Sequence, residues 1–242
     1  MEFSENEFKR ILEMPGPLDF QNRDLSGADL KRVDLTRADL RGADLRGVDL
    51  TQAILRYANI HGAILEKAIL SGAHLFGSNL YAADLTSATF WRTNLSGAPL
   101  ICASLNGARL IEANLSYAVL IGAEMEDANL WCANLKYAYL QEARLSGCNL
   151  EGTNLMHAIL DGAFLVDAEL SGARLDYASL SKVDLSGSNL EGASLINTDL
   201  SEAILNGANL EGVEYYSESS WRGTKWPDGF DPIKAGAILQ EE

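Results

Sequence analysis

Apolar residues return at every fifth position through most of the chain. Between Leu25 and Leu210 there are 38 positions at this spacing, and 35 of them are leucine. The exceptions are Ile60, Phe90 and Met125. From Ala28 to Ala208, a small residue stands two positions before each of these sites, and it is alanine in 28 of 37 cases. The residue directly before the apolar position, counted from Asp19 (which precedes Phe20) to Asn209, is aspartate or asparagine in 20 of 39 cases. Each repeat is therefore five residues long and carries two apolar positions.

A five-residue period fits neither a regular helix nor a straight strand. On an α-helix, steps of five residues spread the leucines around the cylinder, and on a flat strand an odd step moves each leucine to the opposite face. The chain must therefore bend once in every repeat. Of the 21 glycines, 17 lie two residues after the leucine position, where they favour a bend. Leucine and the small residue then point inward, and the other three residues point outward.

These repeats match a known pattern as they stand, for example in Ala28–Asp29–Leu30, Ala113–Asn114–Leu115 and Ala208–Asn209–Leu210. The pattern resembles the A(D/N)LXX consensus of the pentapeptide-repeat family over roughly four-fifths of the chain. The resemblance implies an all-β fold, a right-handed quadrilateral (square) parallel β-helix with four repeats in each of about ten coils. At about 4.8 Å per stacked coil the solenoid is roughly 45 Å long. Repeats of this kind bury their apolar positions by stacking.

The sequence predicts three segments: a cap helix in residues 1–17, a solenoid in 18–213 and a capping tail in 214–242. Ser4 and Glu7 have the spacing of a capping box, and Phe8, Ile11 and Leu12 share one helical face. Pro15–Gly16–Pro17 ends the helix. We expect the helix to cover the first coil, and docking on a partner is the alternative.

The five-residue repeat stops at Tyr215, where leucine is expected. The large apolar residues of the tail include Trp221, Trp226, Phe230 and Ile233. We expect the tail to fold over the last coil, to bury Trp226 and Phe230, and to form a short helix that is capped by Asp231 and runs from Pro232 to about Leu239. The segment Trp226–Pro232 is similar to the C-terminal tails of cyanobacterial members of the family.

Charge limits the choice of partner. The formal net charge is −15, which disfavours direct binding of nucleic acid or of an anionic membrane. Residues 1–60 hold 9 basic and 11 acidic residues, whereas residues 61–242 hold 10 and 23. In the first coils, arginines beside the aspartates indicate a solvated surface with many salt bridges, and a charge-specific docking site is the alternative.

Cysteine usage and the termini predict a cytoplasmic protein. Cys102, Cys132 and Cys148 form no motif, and an odd number without regular spacing indicates reduced thiols. Cys148 occupies an inward position and is predicted to fill the core. Cys102 and Cys132 lie at bends that are half a coil apart in phase, so they are not expected to pair. The N-terminus lacks the apolar run of a secretory signal, and no stretch is apolar enough to span a membrane.

With 20 residues per coil, outward columns can be read directly from the sequence. One side carries a candidate interaction face in the middle coils, formed by Tyr81, Ile101, Ile121, Val119, Tyr139, Ile159, Tyr117 and Tyr137. The opposite side carries a second candidate patch, formed by Trp91, Ile111 and Trp131. Two interpretations stay open, because stacked β-branched and aromatic side chains stabilise a ladder, whereas contiguous exposed apolar patches mark interfaces. Pro99 removes one backbone donor and predicts a local defect.

The repeats contain no recognisable catalytic set, so the sequence predicts neither an enzyme nor a cofactor. His61, His74 and His157 lie in different columns, and none has metal-ligand spacing to cysteine or carboxylate. We therefore predict a scaffold that binds a protein, with a second copy of the chain as one candidate partner. The alternative is an acidic rod that mimics DNA and binds DNA gyrase, as the quinolone-resistance members of the family do.

Overall fold

A four-sided coil of parallel bridges forms the body of the computed structural model, which describes residues 5–14, 16–217 and 223–240. Bridges join residues 20 apart, beginning with Asp19 to Asp39 and Asp24 to Asp44. Each coil therefore contains four repeats, and each side of a coil contributes a single bridge residue between two turns. We call the four sides A, B, C and D, after the bridge residues Asp19, Asp24, Asp29 and Asp34 of the first coil.

Regular elements occur only at the two ends of the described chain. Helix α1 spans Glu5–Leu12. Strand β1 spans Glu214–Tyr215, and strand β2 spans Ile238–Leu239. The two strands pair in parallel, with Glu214 opposite Ile238 and Tyr215 opposite Leu239. The sides of the coil are too short to count as strands, since turns interrupt them after every bridge.

All 39 repeats bend in the same way. The residue two positions after the leucine has a positive φ in each repeat, from 51° at Ala82 to 71° at Gly207. A turn hydrogen bond closes each bend, as where the Ala28 amide donates to the Leu25 carbonyl at 3.0 Å. Only 17 of these corner residues are glycine, and the other 22 adopt the left-handed conformation at a cost of about 1 kcal/mol each. The predicted bend is confirmed, but glycine is not required for it.

The core is a stack of leucines and small residues with almost no exposed surface, as the repeat predicts. Leu40 and Ala38 are fully buried, and the bridge residue Asp39 between them faces outward. Buried hydroxyl groups on small-residue positions are satisfied by backbone carbonyls, as where Thr93 donates to Leu70 at 2.6 Å. Cys148 fills one such position, and burial raises the pKa of its thiol to about 12.

The preference for aspartate and asparagine before the leucine has a local cause. Their side-chain oxygen accepts a hydrogen bond from the amide two residues later, as from Thr36 to Asp34 at 2.9 Å and from Ser116 to Asn114 at 3.1 Å. This arrangement holds the start of the turn in place. Asparagines also form ladders between coils, as where Asn134 donates to Asn114 at 3.3 Å.

Pro99 interrupts the backbone ladder of side A, as predicted. Within the solenoid, the structure shows no bridge between Asn79 and Pro99, although bridges lie before and after them on the same side. Proline has no amide hydrogen, so the Ser78 carbonyl receives no backbone donor from the next coil. The reverse contact remains, since the Leu80 amide donates to the Pro99 carbonyl at 2.8 Å.

Helix α1 covers the first coil. Phe8 is buried, and its ring centroid lies 5.9 Å from that of Phe20 in the core. Ile11 and Leu12 are half-buried and pack against the same core. The predicted contact of this helical face with the first coil is confirmed. Ser4 and Pro15, on which the predicted capping box and helix end depend, lie outside the described residues.

The tail continues the coil after the repeats stop. Lys225 bridges Asp199 on side A, and strand β2 pairs with strand β1 on side D. Trp226 is buried as predicted, but Phe230, stacked on it at 5.4 Å, is only half-buried. Trp221 lies outside the described residues.

The predicted helix from Pro232 to about Leu239, capped by Asp231, is wrong. Asp231 does accept a hydrogen bond from the Lys234 amide at 3.1 Å, but a single turn follows and ends at Gly236, where φ is 94°. Ile238 and Leu239 then pair with the last repeat. Coil pairing prevails there because the Val213 carbonyl at the coil edge accepts from the Ile238 amide at 2.7 Å.

Candidate functional site

A column of stacked rings lies along the corner between sides D and A. Tyr117, Tyr137, His157 and Tyr177 follow one another at 20-residue intervals, with ring centroids 4.9, 4.8 and 4.9 Å apart. Neighbouring rings are nearly parallel, at 16°, 12° and 15°. Each of these residues has φ between 58° and 62°, so the stack is built on left-handed corner positions. We call this set the ring column.

His157 is a member of the ring column that the sequence analysis overlooked. The three histidines lie in different columns, so their spacing does not predict a metal site. The same 20-residue spacing that groups the tyrosines also includes His157. The structure places its imidazole between Tyr137 and Tyr177. The 20-residue spacing therefore places His157 in the tyrosine column from the sequence alone.

The rest of the predicted face lies beside the ring column on side A. Val119, Tyr139 and Ile159 are successive bridge residues, joined by the bridges Val119 to Tyr139 and Tyr139 to Ile159. Tyr81, Ile101 and Ile121 form the next outward column. Tyr81, Tyr117 and Tyr139 are exposed, whereas Ile101, Ile121, Val119, Ile159 and Tyr137 are half-buried. We call these eight residues the apolar strip, and the structure brings them together on one side and its corner.

The apolar strip departs from the local preference of its own fold. Four successive bridge positions on side A carry Pro99, Val119, Tyr139 and Ile159 in place of aspartate or asparagine. None of these side chains can accept the hydrogen bond that holds the turn elsewhere, as Asn79 does from the Tyr81 amide at 3.1 Å. Departures from a local rule of this kind are expected at functional sites.

The second predicted patch lies on the opposite side, C. Trp91 and Trp131 are exposed and Ile111 is half-buried between their coils. The Arg92 guanidinium lies over the Trp91 ring, 4.7 Å from its centroid, and also donates to Glu112 at 2.7 Å. This patch is narrower than the apolar strip, and a charged pair covers part of it.

Exposed apolar residues on side B escaped the sequence analysis. Ile64, Phe164 and Ile204 are all exposed bridge residues of that side. Charged residues of the same column separate them, among them Arg144 and Asp184. They form no continuous surface and serve as useful controls for the apolar strip.

Among the described residues of the first coils, some basic side chains form the predicted salt bridges with aspartates, and others do not. Arg41 pairs with Asp39 at 2.5 Å, Arg46 pairs with Asp44, and Lys31 lies 3.1 Å from Asp49. The hydrogen bond from Arg41 is the main cause of the lowered pKa of Asp39, and Arg46 acts in the same way on Asp44.

Other arginines of the first coils have different neighbours. Arg32 donates to the side chain of Gln52 at 3.0 Å. Arg37 and Arg56 line an open cleft of about 800 Å³ below helix α1, together with Leu12 and Tyr57.

Metal-ligating side chains do not come together among the described residues. Among them, no group of three histidine, cysteine or acidic residues is placed to hold a metal ion. A second open cleft, of about 360 Å³, lies between Leu205 and Phe230 at the C-terminal end. The part of the chain that the structure describes contains no helix of the length and apolarity that a membrane span requires.

Comparisons with known proteins agree with the repeat. The profile of the family described as "Pentapeptide repeats" matches in eight copies, with segments that run from residue 19 to residue 213. Comparison of the sequence with curated proteins gave no match.

Solved structures give a similar picture. One similar structure is that of HetL, a pentapeptide repeat protein involved in heterocyst differentiation regulation in the cyanobacterium Nostoc sp. strain PCC 7120. HetL is 35% identical to this chain, and the alignment covers 95% of this chain and 99% of HetL with a TM-score of 0.53. The pentapeptide repeat protein alr5209 from Nostoc PCC 7120 is 31% identical over 57% of this chain and 84% of its own, with a TM-score of 0.32. QnrB1 is a plasmid-mediated fluoroquinolone resistance protein that is 18% identical to this chain. The alignment covers 74% of this chain and 85% of QnrB1, with a TM-score of 0.36.

Proposed function

Because the chain belongs to the pentapeptide-repeat family, we propose that it is a non-enzymatic solenoid, right-handed like the family's β-helix, that binds another protein through the apolar strip. The observation that carries the proposal is the replacement of aspartate and asparagine by Pro99, Val119, Tyr139 and Ile159 on side A. These residues give up the local hydrogen bonds of their turns and present apolar surface beside the exposed rings of Tyr117 and Tyr177. Contiguous apolar surface of this kind marks interfaces.

The similarity to HetL supports a regulatory role. HetL is described as taking part in the regulation of heterocyst differentiation, and its similarity covers almost all of both chains. A rod with a packed core and open, shallow clefts regulates by occupying a surface of a partner. We propose that this chain acts in the same general way on a protein of its own cell, or on a second copy of itself.

Replacement of the central strip residues tests the proposal. We expect the double variant Tyr139→Ser, Ile121→Ser to lose self-association, measured by light scattering after gel filtration, or to lose partners enriched with the wild-type chain. The matched control is Phe164→Ser, an exposed apolar bridge residue of side B. If the double variant and the control both keep the wild-type oligomeric state and partners, the strip only fills the ladder.

Gyrase binding is the second candidate, and the net charge of −15 is the observation that favours it. A supercoiling assay with purified DNA gyrase and micromolar protein distinguishes the two proposals. Inhibition that survives the double variant of the strip would favour the acidic rod, and absence of inhibition would remove this candidate.

A further inference from the structure

The ring column has an opening at its N-terminal end. The same corner carries Tyr57, Gly77 and Gly97 before Tyr117. Tyr57 leans over Gly77, since its Cε1 atom lies 2.9 Å from the position that a Gly77 Cβ would take. Nothing lies within 4 Å of the corresponding position at Gly97. We call this opening the Gly97 notch.

Aromatic surface borders the notch at both ends. Tyr57 and Tyr117 are three coils apart, which is about 14 Å at ~4.8 Å per coil. Among the described residues only Tyr137 stacks on Tyr117, which leaves the other face of the Tyr117 ring toward Gly97. Tyr117 is also the most exposed of the large apolar residues in the solenoid, at 58%. A planar group placed over Gly97 would continue the stack.

The break in the backbone ladder lies at the same level. The bridge between Asn79 and Pro99 is absent on side A, directly beside the Gly97 corner. The Ser78 carbonyl therefore lacks the backbone donor that its equivalents have in the next coils, as where Val119 donates to Ala98 at 3.0 Å. The outward residues that flank the notch include Ser96, which is polar and uncharged. The notch thus combines a ring face with the exposed backbone of Gly97.

The structure itself shows which groups lie against such rings. The Arg92 guanidinium lies 4.7 Å from the Trp91 ring centroid, and the Lys136 amine lies 5.0 Å from that of Tyr137. Guanidinium is planar, stacks on aromatic faces and carries several donors, whereas the amine of lysine does not stack. The net charge of −15 attracts a cationic segment and repels an anionic one.

We propose that the Gly97 notch is a binding site for an arginine side chain of a partner protein, seated between Gly97 and the free face of Tyr117. This inference rests on the proposed function, because it places the partner on the apolar strip. It adds the chemistry of the contact, which is an arginine presented by an exposed basic segment. Selection of arginine over lysine is the property that separates the notch from general attraction to an acidic protein.

The test uses two fluorescein-labelled octapeptides, one of alternating glycine and arginine and one of alternating glycine and lysine. Fluorescence anisotropy at physiological salt gives the affinity of the full chain for each. We expect the arginine peptide to bind the wild-type chain about tenfold more tightly, because guanidinium adds planar stacking and further donors to the cation–π contact that lysine also makes. Equal affinities for the two peptides would overturn the proposal.

Two variants locate the selectivity. Gly97→Tyr fills the notch with a ring at a corner whose φ of 64° matches the 61° of Tyr137, and it is expected to abolish the preference for arginine. Gly172→Tyr is the matched control, since its φ is 62°, it also has open space, and it lies on another corner. The control is expected to keep the tenfold preference. A preference that is unchanged by Gly97→Tyr would place the arginine site elsewhere and overturn the proposal.

If Gly97→Tyr does not fold, a second pair of variants tests whether the notch is the arginine site. Tyr117→Leu removes the ring wall of the notch, and Tyr177→Leu removes the ring at the other end of the same stack, each with one stacked neighbour. Loss of arginine preference in the first variant but not in the second supports the notch, and equal behaviour contradicts it. If the strip variants leave oligomeric state and partners unchanged while the notch still selects arginine, the proposed function fails and the arginine site stands.

Discussion

The imidazole of His157 stacks on the ring of Tyr137, with centroids 4.8 Å apart and planes 12° from parallel. Tyr177 covers its other face at 4.9 Å, so the histidine is an internal member of the ring column. Each stacked pair is worth about 0.5–1.5 kcal/mol beyond its buried area. The column therefore stiffens the corner beside which the apolar strip lies.

Removal of the ring at His157 is expected to destabilise the chain. His157→Ala loses two stacked contacts and should lower the free energy of unfolding by about 1–3 kcal/mol, whereas His157→Tyr keeps the stack and should change it little. Urea unfolding followed by circular dichroism measures both. Glu142→Ala is the control, because Glu142 has a similar φ of 59° but no ring contact. Equal losses in His157→Ala and His157→Tyr would show that the stack contributes nothing.

Replacement of Pro99 is expected to repair the ladder of side A. Pro99→Asn supplies the missing amide donor to Ser78 and an acceptor for the Ile101 amide. Two hydrogen bonds at about 0.5–1.5 kcal/mol each should outweigh the rigidity lost with proline, about 0.4–1 kcal/mol, and so raise the free energy of unfolding.

Hydrogen exchange provides a direct measurement for Pro99→Asn, because the new amide at position 99 should be protected like that of Val119. The control Val119→Asn adds only the acceptor and should gain less. A rapidly exchanging amide at position 99 would show that the ladder stays open for another reason.

Stability is expected to fall in acid. Hydrogen bonds from Arg41 and Arg46 lower the pKa values of Asp39 and Asp44 in the folded chain. A carboxyl group with a lowered pKa stabilises the fold above its unfolded pKa of about 3.9, and the contribution is lost as the pH falls through the folded pKa. The free energy of unfolding should therefore be similar at pH 7 and pH 5 and lower at pH 3.

The variant Arg41→Gln checks the cause of this acid dependence. Without the guanidinium the pKa of Asp39 should rise toward its unfolded value, which reduces the loss of stability between pH 5 and pH 3. An acid dependence as steep as that of the wild-type chain would assign the effect to other carboxyl groups.

The three cysteines are expected to differ in reactivity. Cys102 and Cys132 are exposed, whereas Cys148 is buried with its thiol pKa raised to about 12, so it remains a protonated and inaccessible thiol. Ellman's reagent should therefore titrate two thiols quickly in the native chain and the third only after unfolding. Cys148→Ser as a control should leave the fast phase unchanged. Three rapidly reacting thiols would contradict the packed core at this position.

Most of the solenoid could be predicted from particular residues. Leucine at every fifth position, with a small residue two places before it, identified the inward columns, because only a bend in each repeat keeps both on one side. The corner position followed from glycines such as Gly27 and Gly42. The sequence also located the ladder defect at Pro99, since a missing amide is a property of the residue itself.

The candidate site was predicted only as a set of columns. The 20-residue spacing groups Tyr117 with Tyr137 and Val119 with Tyr139. The spacing alone does not predict whether the rings stack or point apart. The depth of the Gly97 notch depends on the direction in which Tyr57 leans. The exposure of Phe164 was missed because charged residues interrupt its column.

The period, the inward and outward columns and the placement of the apolar strip follow from the amino-acid sequence alone. A repeat without insertions places each outward residue in a column shared with residues twenty positions away. The tertiary structure decided the ring stacking that includes His157, the left-handed conformation of corner residues that are not glycine, and the strand at Ile238–Leu239 in place of a helix. Each of these depends on contacts between coils, whose hydrogen bonds and ring spacing outweigh local conformational preference.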